Sequence, residues 1–257
     1  MYSLSLIGIG AGNPQHLTLQ AIDAMTACDL ILIPLKGAEK DDLAALRREI
    51  CARVLPRGAS CLREFDLPRR DATNADYLSG VNDWHDAIAT CWAHEMQAGL
   101  PEGGRVGFLV WGDPSLYDST LRIADRLRKQ MTIDVKVIPG ITSLQAMTAG
   151  HAIPLNTLGA PVTITTGRQL RDHGWPDGVD TLAVMLDGTC AFQTLLGGDF
   201  HIWWSAYAGM AQELRLSGAL DQIAQDILDS RRQARGRHGW IMDIYVLRKG
   251  ADLPQLS

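Results

Sequence analysis

The stretch LSLIGIGAGNPQHLTLQ, residues 4–20, decides the fold class of this chain. An apolar, β-branched run leads directly into three alternating glycines, Gly8, Gly10 and Gly12. Apolar residues at helical spacing follow, with Thr18 as a candidate N-cap. A strand, a glycine-rich turn and a helix in this order are typical of α/β folds, in which ligands bind beyond the carboxyl ends of the strands.

The alternation of strand and helix continues along the chain. Short β-branched runs predict strands, and longer stretches with helical periodicity predict helices. The predicted strands cover residues 3–9, 30–35, 106–110, 135–138, 162–166, 181–186, 201–206 and 240–247. The predicted helices cover residues 18–28, 41–55, 76–99, 119–129, 143–149 and 217–235. We therefore expect an α/β chain with mainly parallel strand pairing.

A linker separates the predicted elements near the middle of the chain. The stretch GHAIPLNTLGAP, residues 150–161, carries two Gly and two Pro between periodic segments. This composition predicts an N-terminal α/β domain over residues 1–150 and a C-terminal α/β domain over residues 151–257.

Composition excludes several classes of function. With 46% hydrophobic and 21% charged residues, the 257-residue chain is expected to form a packed core. A net charge of −5 without a basic run argues against nucleic-acid binding. No apolar run approaches the ~20 residues that span a membrane, and the first Lys or Arg is Lys36, so we expect a cytoplasmic protein rather than a secreted or membrane protein. Five widely spaced cysteines without a CxxC pair predict free thiols and no metal site.

The glycine spacing argues against a nicotinamide or flavin dinucleotide site. That fingerprint needs G-x-G-x-x-G, and Asn13 stands here in place of the third glycine. Pro14 removes an N–H donor where the pyrophosphate would lie, and Lys36 replaces the acidic residue expected after the second strand. The sequence also lacks the GxxxxGK[ST] phosphate loop. An NAD-dependent oxidoreductase or nucleotide-binding module is thus disfavoured.

Turn-forming residues recur where the predicted strands end. The exits read GIGAGNP, WGDPSLY, PGITS, TTGRQ and LDGTC. Gly allows close backbone approach, and Pro sets the direction in which the chain leaves the strand. Each loop alone is an ordinary turn, but together they predict a shared ligand site at the carboxyl ends of the strands.

Four segments in a fixed order carry a resemblance to a known family. They are IGIGAGNPQHLTLQA, VGFLVWGDPSLY, VIPGITSLQA and HAIPL. In this order and spacing the chain resembles the tetrapyrrole methylases, which transfer methyl groups from S-adenosylmethionine to uroporphyrinogen and precorrin rings. The resemblance implies two αβα-type domains with a cofactor cleft between them. It also implies S-adenosylmethionine as cofactor, S-adenosylhomocysteine as its product, a tetrapyrrole substrate and a homodimer.

Two more segments are similar to one branch of that family. They are KGAEKDDLAALRREICARVL, residues 36–55, and DYLSGVNDWHDA, residues 76–87. The resemblance implies methylation of precorrin-5 at C-1 with release of acetate, which gives precorrin-6A in aerobic cobalamin biosynthesis. The alternatives on the same fold are another precorrin, diphthine or ribosomal RNA, and the net charge of −5 counts against RNA.

The resemblance also implies a set of cofactor-binding residues. They are Gly10, Pro14, Trp111, Gly112, Asp113, Pro114, Leu116, Thr142, Ser143, Met185, Leu186, Ala206, Tyr207 and Gly239. Asp113 is expected to accept hydrogen bonds from the cofactor, and the alternative is that it caps a turn. The alternative for Ser143 is an N-cap of the next helix. The register at Met185 and Leu186 stays open by one residue.

Substrate and proton-transfer residues are less well specified. Precorrins carry several carboxylates, so an acidic protein must attract them locally. Lys36 and Arg168 follow predicted strands and are the predicted substrate-binding cations. Loss of the acetyl group needs water and a general base, for which His151, Asp118 and Tyr117 are candidates. The sequence does not choose among the three, so the catalytic residue is left open.

Overall fold

The computed structural model describes residues 1–35, 41–55, 61–68 and 77–250. The chain divides into two compact units, unit 1 from Met1 to Thr142 and unit 2 from Ser143 to Ser257. Each unit contains a five-stranded sheet. The division falls ahead of the predicted boundary at residue 150, because the helix that begins at Ser143 packs against strands of unit 2.

Strands and helices alternate along unit 1. Its elements are β1 (Tyr2–Gly8), α1 (Leu19–Ala27), β2 (Leu30–Leu35), α2 (Asp41–Val54), β3 (Leu62–Asp66), α3 (Tyr77–Gly99), β4 (Gly104–Val110), α4 (Thr120–Gln130) and β5 (Ile133–Ile138). The strand order is β3-β2-β4-β1-β5, and these strands pair in parallel. The expected parallel α/β arrangement is therefore confirmed for unit 1.

Both faces of the unit 1 sheet are buried. Leu4 and Leu6 of β1 pack in a cluster with apolar residues of α3 and α4. Ile7 and Ile9 lie in a second cluster with residues of α1 and α2. Because helices cover both faces, the strands read as nearly continuous apolar runs.

Unit 2 has a mixed sheet. Its elements are α5 (Ser143–His151), β6 (Val162–Thr166), α6 (Gly167–His173), β7 (Thr181–Met185), β8 (Phe200–Ala206), β9 (Leu214–Ala219), α7 (Leu220–His238) and β10 (Asp243–Lys249). The strand order is β6-β7-β10-β8-β9. β6 and β7 pair in parallel, whereas β10 pairs antiparallel to β7 and β8, and β8 antiparallel to β9. The prediction of mainly parallel pairing is wrong for this unit.

Among the strands and α-helices of the described residues, β3, β9 and α6 were not expected from the sequence. The predicted helix over residues 217–235 is wrong at its start, since residues 217–219 end β9 and α7 begins at Leu220. β9 is an edge strand with the sequence LRLSGA, whose glycine and mostly exposed side chains weaken the strand pattern. β3, LREFD, is likewise a short edge strand with charged residues. Short charged edges are a common protection against aggregation and carry a weak sequence signal.

Within the described ranges, no helix combines the length and apolar character that crossing a membrane requires. The five cysteines are free thiols. In the same described residues, no group of His, Cys, Asp or Glu side chains is arranged to hold a metal ion.

Candidate functional site

Three strand exits of unit 1 meet with almost no side chain between them. The backbone amide of Gly112 donates to the carbonyl oxygen of Gly10 at 2.8 Å, and the two residues form an isolated antiparallel bridge. A Cβ added to Gly8 would lie 2.6 Å from the nitrogen of Gly140 and 2.8 Å from the carbonyl oxygen of Gly112. Only glycine lets backbones approach this closely. The loops after β1, β4 and β5 therefore form one continuous surface.

Asp113 joins two of these loops through its carboxylate. One oxygen accepts from the backbone amide of Ser115 at 2.8 Å and from the Ser115 hydroxyl at 2.5 Å. The other accepts from the backbone amide of Gly140 at 2.8 Å. Burial alone would raise the pKa of Asp113, but these hydrogen bonds outweigh burial and lower it. Asp113 thus caps a turn and presents a stable negative charge beside the glycine contact.

The loop after β1 does not lead straight into a helix. The side-chain oxygen of Asn13 accepts from the backbone amide of Gln15 at 2.9 Å and caps a short 3₁₀ turn that begins at Pro14. The first α-helix starts only at Leu19, where the hydroxyl oxygen of Thr18 caps it. In dinucleotide sites a helix N-terminus receives the pyrophosphate directly after the glycines. The local geometry here differs from that arrangement.

The remaining predicted residues of unit 1 surround the same loops. Trp111 and Leu116 are half-buried, whereas Pro114 and Thr142 are buried. The Cα of Thr142 lies 3.7 Å from the Cβ position of Gly112. Ser143 is the first residue of α5 and belongs to unit 2.

A strained turn follows β7 in unit 2. Leu186 has a φ of +52° and is 66% exposed, while Met185 ends the strand and pairs with Thr166. A leucine in the left-handed region costs conformational energy, and an exposed leucine forfeits burial. Strain of this kind persists where surrounding contacts hold it, which marks the turn as a candidate ligand contact.

A buried carboxylate directly after Leu186 holds this turn. Asp187 is 5% exposed and accepts from the Tyr245 hydroxyl at 2.7 Å and from the backbone amide of Ala191 at 2.5 Å. A Cβ on Gly167, the first residue of α6, would overlap the Asp187 side chain. Asp187 therefore ties the exits of β6 and β7 to β10. It was not singled out from the sequence, where its only signal was the LDGTC strand exit.

An ion pair between Arg231 and Asp243 also supports the turn at Asp187. Arg231 of α7 donates from Nη2 to the backbone carbonyl of Asp187 and from Nε to the carboxylate of Asp243, both at 2.9 Å. Trp204 Nε1 also donates to Asp243 at 2.9 Å. Burial raises the pKa of Asp243 against the opposing attraction of Arg231.

The other predicted residues of unit 2 cluster near the ends of β8 and α7. Ala206 ends β8 and is buried, and Tyr207 follows it with a φ of +54°. The Tyr207 hydroxyl donates to the backbone carbonyl of Trp240 at 2.5 Å. Gly239 caps α7 in the left-handed conformation. Tyr207 is thus a second strained residue at a strand exit, held by the chain that follows α7.

The structure describes one of the two predicted substrate-binding cations. Arg168 is exposed and is the second residue of α6. Lys36 lies outside the described residues. Both assignments stay predictions.

The three candidates for a general base have distinct surroundings. Nε2 of His151 lies 3.1 Å from the carbonyl oxygen of Trp204, and burial lowers the pKa of this imidazole. Asp118 accepts from the amide and hydroxyl of Thr120 at 2.7 and 2.5 Å. Tyr117 is 42% exposed with a φ of +50°, and burial raises the pKa of its phenol. The choice of base stays open.

Comparison with known proteins identifies the family. The sequence model of the family Tetrapyrrole (Corrin/Porphyrin) Methylases matches residues 3–224 of the chain. The chain belongs to the tetrapyrrole methylase family. The ordered strand exits of unit 1 and the TTGRQ and LDGTC turns of unit 2 all lie within the match to this methylase family.

Two relatives within the methylase family cover almost the whole chain. Precorrin-6A synthase [deacetylating] from Sinorhizobium sp is 48% identical over 257 residues, which is 99% of this chain and 98% of the relative. The crystal structure of a cobalamin synthesis related protein, CobF, from Corynebacterium diphtheriae is similar with a TM-score of 0.83 and 38% identity. It covers 97% of this chain and 99% of that chain.

A more distant solved structure is similar in fold alone. It is uroporphyrin-III C-methyltransferase from Thermus thermophilus in complex with S-adenosylhomocysteine, with a TM-score of 0.55 and 18% identity. The alignment covers 96% of this chain and 97% of that chain. This likeness shows that the two proteins share a fold.

The glycine contact predicts a large effect of a single methyl group. In Gly140→Ala, the new Cβ overlaps the carbonyl oxygen of Gly112 and comes within 2.8 Å of the Gly8 Cα. We expect the free energy of unfolding to fall by about 1–3 kcal/mol. The control is Gly236→Ala in α7, where nothing lies within 4 Å and alanine favours the helix. Equal stability of the two variants in urea unfolding would contradict the contact.

The lowered pKa of Asp113 predicts a pH-dependent contribution to stability. A carboxylate with a folded pKa below its unfolded value of about 3.9 stabilises the protein above that pH and loses its effect as pH falls through the folded pKa. Asp113→Asn should therefore lower the free energy of unfolding by about 1 kcal/mol at pH 7, and the difference should shrink below about pH 4.

The matched control is Asp125→Asn, since Asp125 forms an exposed ion pair with Arg128 at 2.9 Å. Such pairs contribute little, so this variant should stay near wild type at neutral pH. An Asp113→Asn effect that does not change between pH 7 and pH 3 would show that the charge of Asp113 is not what stabilises the loops.

Proposed function

We propose that the chain is an S-adenosylmethionine-dependent C-methyltransferase that methylates precorrin-5 at C-1 and releases acetate, giving precorrin-6A. The observation that carries this proposal is the 48% identity to precorrin-6A synthase [deacetylating] over 99% of the chain. The likeness to the CobF structure supports the same branch of the family. A cytoplasmic location and a homodimer stay predictions.

The loops of unit 1 suit a cationic, hydroxyl-rich cofactor. Gly112 has no side chain, and the nearest atom to its Cβ position is the Cα of Thr142 at 3.7 Å, so a ligand can lie against the backbone there. Asp113 keeps its charge, and its oxygens can accept a further hydrogen bond from the ammonium or ribose hydroxyls of S-adenosylmethionine. In unit 2, the exposed apolar side chain of Leu186 suits contact with an adenine ring. These features support the predicted cofactor-binding set.

When bound, S-adenosylmethionine supplies a methyl group on an already activated sulfonium. The work left to the protein is to hold the ring carbon in line with that methyl group. Proximity and orientation of this kind account for roughly 7–11 kcal/mol of a reaction barrier. The tightly packed loops after β1, β4 and β5 suit that role, because a small displacement of a reacting atom lowers the reaction rate strongly.

Loss of the acetyl group needs separate chemistry. Water adds to the acetyl carbonyl, and the bond between that carbon and the ring then breaks. The electron pair of this bond stays with the ring system, and the acetyl group leaves as acetate. Overall, one precorrin-5, one sulfonium methyl donor and one water give precorrin-6A, the demethylated donor, acetate and two protons. A general base near the ring would assist the water, and Tyr117, Asp118 and His151 are the candidates.

The balance of this reaction defines its test. With precorrin-5 carrying a ¹³C label in the acetyl group and with S-adenosylmethionine, we expect one acetate for each methyl transferred, as measured by NMR. Methyl transfer without acetate would place the chain with another precorrin methyltransferase of the same fold. Failure of S-adenosylhomocysteine to bind in calorimetry would reject the cofactor itself.

Arg168 is proposed to attract a substrate carboxylate at the start of α6. Since the side chain is exposed, Arg168→Ala should raise the KM for precorrin by up to about fivefold at low salt, with less effect as salt increases. Binding of S-adenosylhomocysteine should not change.

Arg171→Ala is the matched control for this prediction. Arg171 lies on the same short helix, is exposed and pairs with Asp172 at 2.9 Å. Equal KM values for the two variants at low salt would remove Arg168 from the substrate site.

A further inference from the structure

The neighbouring strands β2 and β4 of unit 1 separate before their carboxyl ends. β2 pairs with β4 only from Leu30 opposite Val106 to Leu32 opposite Phe108, although β2 runs to Leu35 and β4 to Val110. The helix after β2, α2, packs in the cluster on one face of the sheet, and the helix after β4, α4, packs in the cluster on the other. Neighbouring strands whose connections leave to opposite faces form a crevice in which α/β proteins bind ligands.

Arg47 of α2 reaches the edge of β4 at this crevice. The carbonyl of Val110 accepts from the amide of Ile9 in the chain beyond β1, at 2.9 Å. Successive carbonyls of a strand point in opposite directions, so the carbonyl of Leu109 points to the β2 side, where β2 has already separated. Arg47 Nε donates to that carbonyl at 3.1 Å.

The guanidinium of Arg47 is buried with neutral partners. The residue is 9% exposed, and Nη1 donates to the carbonyl of Leu43 at 3.2 Å. In the part of the chain that the structure describes, no carboxylate forms a salt bridge with Arg47, and Asp118 attracts it only from a greater distance. Burial lowers the pKa of Arg47 to about 10, which leaves it charged at neutral pH.

A buried charge without an ion pair destabilises the folded protein. N–H donors of such a group that have no acceptor favour the binding of an anion. The two carbonyl contacts use only part of the guanidinium, which carries five N–H donors in a plane that matches a carboxylate. The same contacts hold the side chain in one orientation, so that little entropy is lost when an anion binds.

We propose that Arg47 binds a carboxylate of the tetrapyrrole substrate in the crevice between the carboxyl ends of β2 and β4. This proposal rests on the proposed function for the class of ligand. It assigns a substrate contact to a buried cation of unit 1.

The test compares Arg47→Met with Arg48→Met. Methionine fills a similar volume and removes the buried charge, a type of change that proteins often tolerate. Arg48 lies next in the same helix, is half-buried and pairs with Glu64 at 2.5 Å, so its variant removes the same charge from a surface ion pair. The probe is uroporphyrin, a stable polycarboxylate tetrapyrrole, and its binding is followed by porphyrin fluorescence.

Arg47→Met should weaken uroporphyrin binding by about ten- to a hundredfold, which corresponds to loss of a charged hydrogen bond. Arg48→Met should bind as wild type does, and calorimetry with S-adenosylhomocysteine should give the same affinity for all three proteins. Arg47→Lys retains the charge and should recover part of the lost affinity. The KM for precorrin-5 should follow the same order.

Two results would overturn the proposal. One is equal uroporphyrin affinity of folded Arg47→Met and wild type, and the other is Arg47→Lys binding no better than Arg47→Met. If the methionine variant does not fold, weaker uroporphyrin binding by Arg47→Lys supports the proposal, and binding equal to Arg48→Met opposes it. Because uroporphyrin binding needs no methyl transfer, failure of wild type to release acetate from precorrin-5 would reject the proposed function separately.

Discussion

The close approach of three backbone segments at Gly8, Gly112 and Gly140 is the constraint on which unit 1 depends. Three parallel strands end side by side, and the loops that leave them cross where a single methyl group would overlap a neighbouring backbone. Glycine loses more conformational entropy on folding than other residues. It is nevertheless needed where two backbone segments must approach each other closely. The carboxylate of Asp113 joins the same loops, so a charged group is held at a defined position beside this glycine contact.

Unit 2 holds its strand exits by a different device. Asp187 receives hydrogen bonds from β10 and from the turn that follows it, and Arg231 binds both its backbone carbonyl and Asp243. In a low-dielectric interior each of these bonds is strong, and any member left unpaired would be costly. Such a network keeps one arrangement of the turn, which explains how the strained backbone of Leu186 persists at the surface.

The proposed function requires an acidic protein to bind an acidic substrate. With a net charge of −5, long-range attraction of a polycarboxylate is absent, so the proposed function requires single cations that act at short range. The charge of the exposed Arg168 is screened by water and salt, whereas the charge of the buried Arg47 guanidinium is screened far less. A buried and oriented donor contributes specificity for position, and an exposed one contributes attraction.

The amino-acid sequence by itself determined the α/β class, most elements of unit 1 and the strand exits that carry the candidate site. Parallel strands covered on both faces are continuous apolar runs, and Gly or Pro at their ends is a local signal. Only the tertiary structure decided the antiparallel pairing of β8, β9 and β10 and the hydrogen-bond partners of Asp187 and Arg47. The physical reason is distance along the chain. The Asp187 carboxylate accepts a hydrogen bond from Tyr245, and the Arg47 guanidinium donates one to Leu109. Each partner lies far away along the chain, so no local sequence pattern could predict it.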